Sequence, residues 1–133
     1  MSVAFLVALS LAAPPEVAAG LKPAPTECAA VVDRTVALVD QAVDVLAAEK
    51  QKKGNPDTGV AALAAWVTAH REAVDKERLA ATALQATLTQ ADRDKCALYS
   101  QNAFHRVLTR VSDLGAFYAD RVEMWRLLGD LFR

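Results

Sequence analysis

Residues 60–91, VAALAAWVTAHREAVDKERLAATALQATLTQA, carry the pattern from which the fold is read. Val60, Leu63, Val67, His70, Val74, Glu77, Ala81, Leu84, Leu88 and Ala91 recur at alternating steps of three and four, with no Gly or Pro among them. That spacing is a helix seam held for about four heptads. Eight of the ten seam positions are apolar, and His70 and Glu77 are the exceptions.

The seam does not run on into the next segment. Thr89 is a good N-cap residue, and Asp92 three positions later completes a capping-box-like pair with the shorter acid. A tight turn is therefore expected at about 88–90, and Ala91 falls to the following helix. One continuous helix to the C-terminus would be far longer than globular helices run.

On the upstream side, Lys50, Lys52 and Lys53 precede Gly54, Asn55 and Pro56. Cations favour a helix C-terminus, Gly suits the position just beyond it, and Pro forbids continuation. The Lys cluster is read as that terminal charge cap, and Asp57 or Thr58 as the next N-cap. The first helix then spans about 27–52, with Val32, Val36, Val39, Val43 and Leu46 as its seam. The last spans about 90–131, with Phe104, Val107, Val111, Leu114, Tyr118, Val122, Trp125, Leu128 and Phe132 on its apolar stripe. The expected fold is all-α, an up-down-up antiparallel three-helix bundle over about 27–52, 58–88 and 90–131. Ser112 and Gly115 mark a place where a bend near 112–115 would make a fourth short helix.

Composition agrees with long helices. Hydrophobic residues are 53% of the chain and aromatics only 6%, so Ala, the best helix former, supplies much of the apolar content. The net charge of −1 provides no electrostatic footprint for nucleic acid.

Val3 to Ala13 is an apolar run of about eleven residues, too short to span a membrane and the right length for a signal-peptide core. Val17-Ala18-Ala19 satisfies the small-x-small cleavage rule. The expected organisation is a signal peptide at 1–19, a Pro-rich lead-in at 20–26 and the bundle at 27–133. No Lys or Arg precedes the run, and a short apolar helix packed on the bundle is the competing reading. The expected location is periplasmic or secreted.

Export makes the two cysteines meaningful. In up-down-up topology the first and third helices run parallel. Cys28 near the start of one and Cys96 near the start of the other then meet at one end of the bundle, as a disulfide requires.

His70 and Glu77 lie two turns apart on the central seam, and antiparallel geometry places His105 nearby. These three are candidates for a polar layer at mid-height. A metal or haem site using His70 and His105 is an alternative, since bundle sites do use inward Glu and His. The Glu-x-x-His pair of such sites is missing, as is Cys-x-x-Cys-His, so no cofactor is assigned. Nor is there a nucleophile elbow or a Gly-rich phosphate loop, and no enzymatic activity is assigned.

Length matching supplies the functional expectation. A last helix of about 42 residues exceeds its neighbours by roughly 15–20 Å at 1.5 Å per residue. The overhang carries Val122, Met124, Trp125, Leu128 and Phe132, an apolar surface of the kind that marks interaction. The chain is read as an exported binding or scaffold protein that meets a protein partner, or itself, through the C-terminal helix. A periplasmic helical chaperone or stress-response protein is the alternative. The charges at the C-terminus are mixed, which disfavours a membrane surface.

Overall fold

The computed structural model describes residues 25–119 and 121–131, and among them the protein is helical with no strand. Five helices follow one another: α1 (Thr26–Gln51), α2 (Pro56–Ala69), α3 (Arg71–Thr87), α4 (Gln90–Leu114) and α5 (Val122–Leu131). The expected signal peptide at 1–19, the lead-in before Pro25, and Phe132 lie outside the described residues.

Helix α1 is the spine. Its seam of Val32, Val36, Val39, Val43 and Leu46 is buried throughout, together with Cys28, Val31 and Ala42. It packs against α2 and α3 on one side and α4 on the other. A row of cross-links sets α1 and α4 parallel: Tyr99 donates to Asp33, Arg110 to Asp40 and Asp44, and Lys50 to the Asp113 carbonyl. Arg34 of α1 meets Glu77 of α3. Since α1 leads into α2 at Gln51–Pro56, that pairing sets α2 and α3 antiparallel to it.

The stop after α1 differs from the expected one. Lys53, not Gly54, takes the left-handed conformation, with φ of 54°. The Gly54 amide donates to the Glu49 carbonyl and the Lys53 amide to the Lys50 carbonyl, the paired bonds of a Schellman motif. The Glu49 carboxylate lies over Gly54, in the space a β-carbon would take, and would have to swing aside for a larger residue there. The cap of α2 also moves. Asn55 accepts from the Asp57 amide at 2.8 Å, and Pro56 occupies the first helical position, where its missing amide costs nothing.

The uninterrupted helix expected over 58–88 is two helices joined at His70, whose φ of −108° and ψ of 11° leave the helical region. The cause is a side chain competing for the backbone. The Trp66 carbonyl accepts from the His70 amide at 2.9 Å and is also bonded by the imidazole Nδ1 at 2.8 Å. The ring stacks on the Trp66 indole, centroids 4.2 Å apart. Side-chain intrusion into the backbone ladder is a recognised origin of kinks.

At the next junction, Leu88 is extended, and Thr89 caps α4 by accepting from the Asp92 amide at 3.2 Å. Cys28 and Cys96 form a disulfide across α1 and α4.

The long last helix is divided close to the bend expected near 112–115, and a short helix follows it. α4 stops at Leu114, and residues 115–119 turn. Tyr118, fully buried, anchors the turn by donating to the Leu46 carbonyl at 2.7 Å. α5 then folds back along α2. Met124, Leu127, Leu128 and Leu131, at steps of three, one and three, form one stripe and enter the core. No overhang exists among the described residues: Met124 and Leu128, expected on an exposed surface, are core residues, because the turn at 115–119 rotates the phase of the helix that follows.

Candidate interaction surface

α5 lies beside α2 from end to end. At the start, Arg121 Nε approaches Asp57 Oδ1 at 2.6 Å, as an ion pair off the hydrogen-bond line. At the other end, Asp130 and Leu131 share a small hollow with Val67 and Arg71. Arg78 donates to the Asp130 carbonyl at 2.8 Å and ties α5 to α3. The two helices therefore run parallel and in step.

Their outer faces are short of charge. Between Asp57 and Arg71 α2 has no Asp, Glu, Lys or Arg. Ala61, Ala62, Ala65, Thr68 and Ala69 are all exposed there. On α5, Val122 is 77% exposed and Trp125 43%, two of the three large hydrophobic side chains so exposed among the described residues. The third, Leu79 on α3, stands among Lys76, Arg78 and Thr82. Exposed Trp is unusual, and interfaces are enriched in it.

The charges next to Trp125 are spent on each other. Arg126 donates to both carboxylate oxygens of Glu123 and reaches Asp130 at 3.5 Å. The same hydrogen bond draws the Glu123 carboxyl below its ordinary range and raises the Arg126 guanidinium. What faces outward is an uncharged strip with a neutralised border.

The expected polar layer does not assemble. Glu77 is buried and is held by Arg34 Nε at 3.0 and 2.9 Å to its two oxygens. His70 is occupied with Trp66. His105 is exposed on α4, where its backbone carbonyl accepts from Thr109. Each has separate company, and among the described residues no group of three or more His, Cys, Asp or Glu side chains is placed to hold a metal ion.

An open groove of about 540 Å³ runs between α1 and α4, lined by Asp33, Asp40, Tyr99, Asn102 and Arg106. Of its polar groups, Tyr99 is matched to Asp33 at 2.7 Å and Arg106 to Asp40 at 3.7 Å. Among the described residues, no helix is long and apolar enough to cross a membrane.

The α2 face is the part that sequence reading missed. Its signal was present as the absence of charge between Asp57 and Arg71, but the seam reading of 60–91 attends to the inward positions only. No family model, curated protein or solved structure is similar to this chain.

Proposed function

We propose that the protein is an exported binding or scaffold protein, a bundle of antiparallel rods closed by the Cys28–Cys96 disulfide, that engages a protein partner through the outer faces of α2 and α5. One observation carries this reading: Val122 and Trp125 stand exposed beside a helix face with no charge between Asp57 and Arg71. A solvated helix face normally carries charge, and exposed apolar strips rimmed by polar groups mark interaction sites. The disulfide supports an oxidising compartment, periplasmic or extracellular, because such bonds are rare where thiols are kept reduced.

The test is site-specific photocrosslinking in the producing cell. A photoreactive residue at position 125 or 65 is expected to form protein adducts, whereas one at Asp94 or Thr109, exposed on α4, does not. Equal labelling from all four positions, or none from 125 and 65, contradicts the proposal.

A further inference from the structure

The groove between α1 and α4 has a cross-pair at each end. At one end Tyr99 donates to Asp33 Oδ1, and Asp33 Oδ2 makes no hydrogen bond among the described residues. At the other, Arg106 meets Asp40 at 3.7 Å without a hydrogen bond, and its side chain is 75% exposed. Asp40 does not depend on that contact, because Arg110 donates to it at 2.8 Å. The floor between the ends is small and apolar, with Ala37 of α1 and Ala103 of α4. Tyr99, Asn102 and Arg106 stand at steps of three and four, so they share one stripe of α4. The Asn102 side chain, midway along it, is exposed and has no hydrogen-bond partner among the described residues.

The groups left open differ in kind. One end offers a carboxylate oxygen, the other a guanidinium, and between them lies an amide that both donates and accepts. Two helix turns separate the ends, about 10 Å at 1.5 Å per residue. We propose that the groove binds a short peptide in extended form, its free amino end at Asp33, its free carboxyl end at Arg106 and a peptide bond at Asn102. Three extended residues span about 10 Å at roughly 3.4 Å each, so a tripeptide has the matching length. The volume of about 540 Å³ lies within the range of small-molecule sites. The end charges also set direction, since a reversed peptide would place like charges together at both ends. Arg106 can turn to the ligand at little cost, because Arg110 continues to hold Asp40. The groove is open to water, where exposed ion pairs contribute little, so binding is expected in the millimolar range. This site is separate from the α2–α5 face, and neither reading depends on the other.

Titration of isotope-labelled protein with trialanine, followed by NMR, tests this. The Asn102 side-chain amide and the Ala37 and Ala103 backbone amides are expected to shift and saturate. N-acetyl-trialanine and trialaninamide, each lacking one charged end, should bind several-fold more weakly. Arg106→Gln should weaken trialanine about fivefold, the upper end for an exposed ion pair, and leave trialaninamide unchanged. Asp33→Asn should weaken trialanine to a similar degree and leave N-acetyl-trialanine unchanged. Both side chains are exposed, so the fold persists, as judged by helicity and melting temperature. Absence of shifts in the groove overturns the proposal, as does equal binding of the three peptides or an Arg106→Gln protein that binds trialanine like the wild type.

Discussion

The Tyr118 hydroxyl rests against Gly59, in the space that any β-carbon would occupy, and from there donates to the Leu46 carbonyl at 2.7 Å. This contact fixes where the chain turns after α4, and so which face of α5 is buried. Gly59→Ala would force the ring out of a closed site and is expected to cost about 1–3 kcal/mol. Tyr118→Phe should cost about 1 kcal/mol for the lost hydrogen bond. The two are coupled: with the hydroxyl gone, Gly59→Ala becomes cheaper. Urea unfolding of the two single variants and the double variant measures this, and strict additivity would contradict the contact.

Alkaline pH acts through the phenols. Tyr99 titrates above its ordinary value because it donates to Asp33, and Tyr118 because it is buried, with the nearby Glu49 carboxylate adding to the effect. Both hold their protons in the folded state at pH values where the unfolded chain has lost them. Stability is therefore unaffected below the ordinary phenol pKa of about 10 and falls as pH rises through the folded-state values. Melting temperatures across the alkaline range should decline, and less steeply in Tyr118→Phe.

The disulfide closes a loop of 68 residues, so its removal is expected to cost about 4 kcal/mol in the chain-entropy account. Denaturant midpoints with and without reductant report the loss. Thiol labelling of the unfolded protein should find no reactive thiol before reduction and two after it. Labelling without reductant would contradict the bond.

The divided last helix separates core from surface within one turn. Leu128→Ala should cost about 2–5 kcal/mol, as large-to-small core changes do. Trp125→Ala, three residues away, should cost less than about 1 kcal/mol. Truncation before Val122 removes Met124, Leu127, Leu128 and Leu131 from the core, so the shortened protein is expected to melt early or aggregate. A truncated protein of unchanged stability would mean that α5 is not packed as described.

Much of this architecture was legible residue by residue. The α1 seam, the Thr89 cap and the meeting of Cys28 with Cys96 follow from spacing, local hydrogen-bonding chemistry and chain direction. The breaks were harder. His70 divides the central helix without Gly or Pro, through an imidazole bonded to the Trp66 carbonyl, and periodicity is blind to that. The last helix misleads in another way. Tyr118, Val122, Trp125 and Phe132 continue a helical stripe in the sequence, but the turn at 115–119 resets the phase, and Met124, Leu127, Leu128 and Leu131 face inward instead. Ser112 and Gly115 did mark a bend near 112–115, but how the segment after it is rotated depends on a bond between Tyr118 and Leu46, residues 72 apart, which no local window contains. The same change of phase moved the candidate surface from an overhang to the side of the bundle, where α5 packs along α2 and Trp125 is exposed.

The most direct test of that surface is oxidative footprinting of the two tryptophans, carried out in the producing cell and on dilute purified protein. Trp125 is exposed in the free molecule, whereas Trp66 is half-buried under His70 and serves as the internal reference. If α2 and α5 form the binding face, Trp125 oxidation drops several-fold in the cell relative to the dilute protein, and Trp66 changes little. Equal oxidation of Trp125 in both settings would contradict the account.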